Sequence, residues 1–494
     1  MALLTETMRS SIKHQLIYAL GIFTTKAVAI LMLPVFTYHL IPADYARLDI
    51  IQTLANLAGI IVAFGLADSL FRFAGETSDR AKQRSIAANT FGLAIIAMIA
   101  GTILSQLIAP YVAEVLPGQI TLFQTRVILL SLSVTACILV PLSWLRMRGE
   151  AVKFFLASAG WSILQAAATA VALFAGYGID GVLIAGLVCS IGLAIVLTIN
   201  QLQTTGASFH FSQLKDQARF GAVLVIAGIA TFVVESSGRW ILADEAGVVA
   251  LAEFALAWKV GIMAMLLCEP FAMWWMPKRF AVLIEEGHAK YIQLTEIGIS
   301  FALLCVLGIT AIGAFTVQLL SPQEYHGAVK FIPAIAMLAG IKAITNLIAT
   351  GVLSEKRTVW PIYIDISAAA LALGANFFLI PIYGIWGAII ALACALSLRL
   401  MMYLIIGQNT QYLPYHSGRI ALQLAITITT CVACSLTASP LATLVTGATG
   451  GIAILLTIVL SNLALLQKAQ RVTKDSQQAS ITKTSTLKGN EPCH

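Results

Sequence analysis

The chain has 494 residues, of which 59% are hydrophobic and 11% charged, and its mean hydropathy is +0.89. Soluble domains carry about 25% charged residues, so this composition excludes a soluble protein and predicts an integral membrane protein. The net charge is +7. Because the basic residues are dispersed among short loops and not gathered on one domain, we expect no nucleic-acid partner.

Apolar runs of about 20 to 30 residues predict an all-α fold, since such runs cross a hydrocarbon core of about 30 Å as helices, whereas barrel strands are shorter and alternate. We predict about fourteen transmembrane helices. Arg9 and Lys13 precede the first run as in a signal peptide, but that run is too long for one and contains Lys26, so we expect a retained span. The predicted spans are residues 13–38, 48–73, 85–108, 121–145, 155–176, 179–200, 218–242, 247–276, 291–320, 329–352, 358–380, 384–406, 418–437 and 441–466.

The loops alternate in charge along this series of spans. By the positive-inside rule the basic set is cytoplasmic, and an even number of spans then places both termini in the cytoplasm. The opposite loops hold little beyond Arg47, Arg239 and Lys330. The basic set comprises Arg80, Lys82, Arg84, Arg146, Arg148, Lys153, Lys215, Arg219, Lys278, Arg279, Lys290, Lys356, Arg357 and Arg419.

The longest internal polar stretch, residues 201–217, divides the spans as six, six and two. We predict an N-terminal six-helix lobe over 1–200, a cytoplasmic linker over 201–217 and a second six-helix lobe over 218–406. Helices 13 and 14 then fall within 407–466. Residues 467–494 are polar without apolar periodicity, which predicts a disordered cytoplasmic tail.

A short Gly-rich turn occurs twice. YGIDGVLIA begins at Tyr177 and YGIWGAIIA begins at Tyr383, 206 residues later, with six of nine positions identical. The two copies join spans five and six and spans eleven and twelve, which are equivalent positions in the two predicted lobes. This placement indicates a parallel repeat, as in transporters whose substrate site lies between two halves. The alternative is a chance match between two apolar hairpins.

Three lysines fall inside predicted spans, where an ionisable side chain costs about 2.5 to 3.5 kcal/mol and usually faces a cavity or the bundle interior. Lys26 is central in span one, Lys259 in span eight and Lys342 in span ten. Asn346 follows Lys342 on the same helical face. We predict that these four residues bind substrate. The alternatives are structural partners such as Glu235 or Glu269, or snorkelling of the lysine stems.

Acidic residues in spans seven and eleven are candidates for ion coupling. Glu235 lies deep in span seven, and an acid at that depth can carry a proton or a sodium ion. It can also pair locally with Arg239 at i+4. Asp365 shares a stripe with Asn376, with an ion pair as its equal alternative. Pro34 and Pro270 interrupt spans one and eight and predict bends there.

The motifs of several enzyme classes are missing from the sequence. It contains no GxxxxGK[ST], HExxH or GxSxG pattern and no metal-spaced His and Cys set,. Cys431 and Cys434 form a CxxC in an apolar helix without a nearby histidine, which is typical of buried thiols. We therefore expect a transporter and not an enzyme, with no cofactor and no metal.

Six short segments of the sequence are similar to segments of one known family: YALG (18–21), Leu33-Pro34, LIPADY (40–45), GLADSLFRF (65–73), GRWIL (238–242) and EFALAWK (253–259). They resemble the oligosaccharide flippases of the bacterial polysaccharide transport family, the Wzx-type members of the MOP exporter superfamily. In this family Gly often follows the Asp-Tyr of the first outer loop, where Ala46 stands here. Glu253 and Phe254 likewise stand where Gly and Tyr are usual.

The resemblance implies two six-helix lobes around a central cavity, alternating access, and a location in the bacterial inner membrane. It implies transport of an undecaprenyl-pyrophosphate-linked oligosaccharide from the cytoplasmic to the periplasmic leaflet, with a glycan polymerase and glycosyltransferases as partners. A cationic cavity suits such a diphosphate. The alternatives are a multidrug cation antiporter of the same superfamily and a membrane scaffold without transport of its own.

Overall fold

The computed structural model describes residues 2–63, 65–210, 214–354, 359–437 and 439–460, and these residues contain no β-strand. The predicted disordered tail and the charged turn at Lys356 and Arg357 lie outside them. The long helical segments of the described residues are α1 (Ala2–His39), α2 (Pro42–Ala63 and Leu66–Gly75), α3 (Arg80–Val115), α4 (Leu122–Ser133 and Thr135–Met147), α5 (Ala151–Phe155, Leu156–Gly160 and Trp161–Phe174), α6 (Gly178–Thr204), α7 (Leu214–Glu245), α8 (Val248–Gly261 and Met263–Trp275), α9 (Gly287–Leu320), α10 (Gln323–Phe331 and Ile332–Ile348), α11 (Val359–Tyr383), α12 (Ile385–Thr410), α13 (Ser417–Leu436) and α14 (Pro440–Leu460).

These helices confirm the predicted all-α membrane fold. Each segment from α2 to α14 is long and apolar enough to cross a membrane, which gives thirteen candidate spans in the described residues. The predicted first span lies within α1, a continuous helix of 38 residues. Short helices at Arg279–Glu285 and Thr350–Ser354 follow α8 and α10.

The helices pack into two groups that meet along α2. In the first group α1 packs on α5, α3 on α4, and α4 on α6, whereas in the second α11 packs on α7 and α12, and α9 on α10. Between the groups, α2 packs against α7 and α8. Gly228 permits part of this contact, because a Cβ there would lie 2.7 Å from Ile60 Cγ2. The lobe boundaries themselves stay a prediction.

The segment between the two groups is shorter than the predicted linker. Helix α6 continues to Thr204 and α7 begins at Leu214. Between them the Ser208 N–H donates to the Ala88 carbonyl at 3.0 Å, and the His210 N–H donates to Asn89 Oδ1 at 2.7 Å. The described part of the linker therefore lies against α3.

The duplicated turn has the same backbone feature in both copies. Gly178 and Gly384 both have φ of +55°, a left-handed conformation that glycine adopts without the steric cost of a Cβ. Three residues later, a Cβ at Gly387 would lie 2.2 Å from the Leu379 carbonyl oxygen, and one at Gly181 would lie 3.0 Å from Ala172 Cβ. The shared glycines thus permit a tight turn and a close return of the following helix.

The two prolines at which bends are predicted do not end a helical segment, and the bends themselves stay a prediction. Pro34 lies inside the continuous helix α1, and Pro270 lies inside the second segment of α8. Helix α8 is instead interrupted at Ile262, next to Gly261, where a Cβ would lie 2.6 Å from Ile335 of α10. The break therefore coincides with a close approach of α8 to α10.

Candidate functional site between the two helix groups

A cavity of about 630 Å³ lies between the two helix groups. Helices α1, α2 and α5 of the first group and α7, α8 and α10 of the second provide its walls. This volume falls within the range of ligand sites in proteins, roughly 300 to 1,000 Å³. The polar side chains that line the cavity are Thr25, Lys26, Gln52, Ser162, Gln165, Thr169, Glu235, Lys259, Glu269 and Lys342.

Lys26 lies on α1 and projects into the cavity. It forms no ion pair within the described residues, and its side chain is exposed. The eleven-residue spacing of Gln15, Lys26 and Thr37 predicts one polar stripe along α1,. This stripe does not line the cavity as a unit, because the Thr37 hydroxyl donates to the Leu320 carbonyl at 3.1 Å. The third predicted member, Gln15, has a side chain outside the described part of the chain.

Lys342 and Glu235 form an ion pair across the cavity wall, between α10 and α7. Their side chains are 24% and 23% exposed, so the pair remains in contact with the cavity. The predicted local pair of Glu235 with Arg239 is wrong. An i, i+4 pair contributes only about 0.2 to 0.5 kcal/mol, so partners on other helices displace it readily.

Arg239 pairs instead with Asp49 of α2, with Nη1 2.5 Å from Oδ2. The two side chains are 9% and 7% exposed, and the guanidinium lies over the rings of Phe254 and Trp258 at 5.5 and 5.3 Å. This buried pair joins the two helix groups. Sequence reasoning missed Asp49, because nothing in the sequence links it to a cation 190 residues away.

The Arg239–Asp49 pair lies toward the end of the cavity that the charge pattern predicts to be the outer end. Further contacts close this end. The Tyr325 hydroxyl donates to the Leu40 carbonyl at 2.7 Å, and Thr37 contacts Leu320 as described above. Tyr45 and Tyr325 meet edge to face with ring centroids 5.6 Å apart. These contacts connect the α1–α2 turn to the α9–α10 turn, so both helix groups take part in the closure.

Lys259 lies below this closure on α8. Its Nζ is 4.6 Å from the ring centroid of Tyr45 and 5.7 Å from that of Phe36. Cation–π contact of this kind stabilises a desolvated ammonium by roughly 0.5 to 2 kcal/mol. Within the described residues Lys259 has no carboxylate partner, so its charge remains available toward the cavity.

Asn346 does not line this cavity. It lines a second cavity of about 330 Å³ formed by α8, α9 and α10. Glu269 and Met265 line both cavities, so the second adjoins the first. The sequence placed Asn346 on the face of Lys342, but a step of four residues turns the helix by about 40°, which here separates the two cavities.

Asp365 is not among the residues that line the main cavity. Its carboxylate Oδ1 lies 2.9 Å from Nε of Arg399 on α12, and the side chains are 12% and 16% exposed. The ion-pair alternative for Asp365 is therefore confirmed. Asn376, on the same helix, donates to the Ser237 hydroxyl at 3.3 Å.

Sequence reasoning also missed the neutral polar residues of α5. Ser162, Gln165 and Thr169 lie three and four positions apart and all line the cavity. The signal was present in this spacing, which places the three on one face of a helix. No ionisable residue accompanies them on this face of α5, so a prediction based on intramembrane charge does not include them.

The fold and this site define a class of protein, a multi-pass membrane transporter with a polar cavity between two helix groups. A family model described as "Polysaccharide biosynthesis protein" matches residues 11–279, just over half of the chain. The chain belongs to this family, which confirms the resemblance drawn from the sequence motifs. No curated protein matches the sequence.

Several solved structures share this fold, among them a lipid II flippase and transporters of the MOP superfamily. A structure of the lipid II flippase MurJ in an inward closed conformation superposes with a TM-score of 0.71 at 12% identity, covering 91% of this chain and 100% of MurJ. An inward-facing multidrug resistance MATE family transporter of the MOP superfamily gives 0.63 at 15% identity, covering 81% and 95%. A MOP superfamily transporter from Pyrococcus furiosus gives 0.56 at 15%, covering 80% and 96%.

Proposed function

We propose that this protein moves an undecaprenyl-pyrophosphate-linked oligosaccharide from the cytoplasmic to the periplasmic leaflet of the bacterial inner membrane. The observation that carries the proposal is the charge of the cavity. Three lysines, Lys26, Lys259 and Lys342, line it against two carboxylates, Glu235 and Glu269. A family of polysaccharide biosynthesis and a fold shared with a lipid II flippase support the same substrate class.

The chemistry of the substrate fits these residues. A diphosphate is strongly hydrated, so entry into a membrane requires cations in a weakly screened site to replace its water. Lys26 forms no ion pair with another described residue and can bind the diphosphate at once. Lys342 becomes available when the diphosphate displaces Glu235, and Lys259 when it leaves the ring of Tyr45. The lipid tail stays in the bilayer.

Ion coupling is assigned to Glu235. Displacement of its carboxylate from Lys342 leaves an uncompensated charge at the cavity wall, which a proton or a sodium ion can neutralise. Asp365 lacks this opportunity because Arg399 remains beside it. Binding of the anionic substrate and binding of the coupling cation thereby favour each other.

A multidrug cation antiporter would require the opposite balance of charge, with acids in excess over lysines. If the protein were a scaffold without transport activity, deletion of its gene would leave lipid-linked glycan distributed normally between the leaflets. Deletion of the gene is expected to cause lipid-linked oligosaccharide to accumulate on the cytoplasmic side and to leave the polymerase without substrate in the periplasm. Equal leaflet distributions in deletion and parent strains would support the scaffold.

Lys26→Ala is expected to reduce glycan export by about ten- to a hundredfold, because a hydrogen bond to a charged group contributes about 1.5 to 3 kcal/mol. The measurement is periplasmic glycan in cells whose membrane-protein level is matched by immunoblot. Lys26→Arg retains the charge and should retain most of the export.

The matched control is Lys290→Ala, which removes one exposed lysine outside the cavity. It should export glycan at the rate of the unaltered protein. Normal export by Lys26→Ala at a normal protein level would remove Lys26 from the substrate site.

A further inference from the structure

The wall of the cavity formed by α5 differs in character from the wall opposite. Ser162, Gln165 and Thr169 line the cavity from one face of α5. On another face of the same helix, Ile163 and Leu164 are 51% and 50% exposed, as expected of side chains in contact with lipid. Helix α5 therefore directs its neutral polar groups toward the space between the helix groups.

The polar groups of this wall line the cavity and form no side-chain hydrogen bond with another described residue. Many helical Ser and Thr hydroxyls of the described residues donate to the carbonyl four residues earlier, as Ser158 does to Phe154 at 2.8 Å. Among the described residues, Ser162 and Thr169 have no such partner, and Gln165 and Gln52 have none either. Polar groups at membrane depth are costly unless satisfied, so their position at a cavity indicates a polar ligand.

The charges of the cavity lie elsewhere. Lys259, Glu269, Glu235 and Lys342 belong to α7, α8 and α10 of the second helix group, and Lys26 lies on α1. The surface formed by α5 and Gln52 of α2 carries no ionisable side chain among the lining residues. A ligand group seated here meets amides and hydroxyls, which both donate and accept hydrogen bonds.

We propose that the α5 wall, consisting of Ser162, Gln165, Thr169 and Gln52, is a subsite for the uncharged sugar that follows the diphosphate. This inference rests on the proposed function. Hydroxyl and acetamido groups of a neutral hexose or N-acetylhexosamine match these donors and acceptors. The wall itself offers no cation to the carboxylate of a uronic acid, and Lys26 of the adjoining α1 is already occupied by the diphosphate, so an acidic sugar is disfavoured at this position.

The test uses the purified full chain in lipid nanodiscs and three synthetic probes. These are a polyprenyl diphosphate without sugar, the same lipid with one N-acetylhexosamine, and the same lipid with one hexuronic acid. The neutral sugar is expected to tighten binding by about tenfold, as two or three hydrogen bonds of ordinary net strength would. The hexuronic acid should give no such gain.

The double variant Ser162→Ala with Gln165→Leu is expected to abolish the gain from the neutral sugar while the Kd of the sugar-free diphosphate stays unchanged. Ser158→Ala is the matched control, one turn earlier on α5 with its hydroxyl engaged by Phe154. It should keep the full gain, whereas Lys26→Ala should weaken binding of all three probes.

Each outcome bears on a different claim. A gain that survives in the double variant, or a gain from the hexuronic acid equal to that from the neutral sugar, would overturn the sugar subsite alone. If the sugar-free diphosphate failed to bind the unaltered protein, the proposed function itself would be contradicted, and with it the sugar subsite that rests on it. Equal loss of binding for all probes in the double variant would assign these residues to the diphosphate instead.

Discussion

At the scale of single residues, the intramembrane carboxylates Asp365 and Glu235 differ in whether a ligand in the cavity can reach their cationic partners. Asp365 and Arg399 are both largely buried beside each other, and the pair lies away from the cavity. Glu235 and Lys342 both line the cavity, so a ligand can compete for the lysine. Under the proposed function, Glu235 and not Asp365 is therefore the candidate for coupling ion binding to substrate binding.

This difference gives a prediction for ion dependence. Glu235→Gln should remove the stimulation of transport by an imposed proton or sodium gradient, because the amide does not take up a cation on release from Lys342. Asp365→Asn should keep the stimulation but lower the free energy of unfolding by about 3 kcal/mol, since it leaves Arg399 buried without its partner. Transport in proteoliposomes under imposed gradients measures the first, and thermal unfolding in detergent the second.

Loss of gradient stimulation in Asp365→Asn, with retention in Glu235→Gln, would reverse the assignment. Equal transport by the unaltered protein with and without each gradient would eliminate coupling altogether.

Intramembrane charges could be located from the sequence, but the choice among their possible partners could not be made there. Lys26, Lys259 and Lys342 stand out because charge is rare in apolar runs, and all three line the cavity. The partner of Lys342 lies 107 residues away, and helix packing alone brings the two together. The sequence offered Glu235 either Arg239 at i+4 or one of the intramembrane lysines, and only the fold decides between them.

At the scale of helices, the duplicated turn shows what a repeated motif preserves. Gly178 and Gly384 share a left-handed backbone, and Gly181 and Gly387 permit a close return of the next helix. The turn thus sets the packing of α5 on α6 and of α11 on α12 and contributes no lining residue of the cavity. Its repetition in the sequence marked architecture and not the binding site.

Gly387→Ala should therefore lower the free energy of unfolding by about 2 kcal/mol or more, because the new Cβ meets backbone that cannot move aside. The Cβ would lie 2.2 Å from the Leu379 carbonyl oxygen. Gly374→Ala is the matched control on α11, with no described atom within 4 Å of the added Cβ.

Thermal unfolding of both variants in detergent provides the measurement. The control should be neutral or slightly stabilising, since alanine is the better helix former. Equal stability of the two variants would contradict this account of the turn.

Helix limits were largely predictable because membrane thickness fixes their length, and thirteen predicted spans have counterparts of spanning length. Interruptions inside helices were not predictable from the sequence. The break of α8 at Ile262 coincides with the approach of Gly261 to Ile335, and the segment Leu156–Gly160 of α5 is π-helical. Both depend on neighbouring helices, which local sequence does not reveal.

At the scale of the whole molecule, the outer closure must open for substrate to leave on the predicted periplasmic side. A short thiol crosslinker between Thr37→Cys and Leu320→Cys, in a background lacking accessible native cysteines, should hold the closure and stop transport. These positions join α1 to α9 through a hydrogen bond of 3.1 Å. Reversal of the crosslink should restore transport.

The matched control joins two helices of the same group. The Ser131 and Ser190 hydroxyls lie 3.3 Å apart on α4 and α6, so a crosslink between cysteines there should leave transport near its normal rate. Undiminished transport with the first crosslink complete would show that the outer closure does not open during the cycle.

The central claim is that the chain itself carries a lipid-linked diphosphate through a cavity containing Lys26. Its most direct test is purified protein in proteoliposomes with a fluorescent polyprenyl-diphosphate sugar, whose arrival in the opposite leaflet is read by membrane-impermeant quenching. The unaltered protein should move the lipid well above the rate of protein-free liposomes, with Lys26→Ala about tenfold or more slower and Lys290→Ala unchanged. Movement no faster than in protein-free liposomes, or equal rates for Lys26→Ala and the unaltered protein, would contradict it.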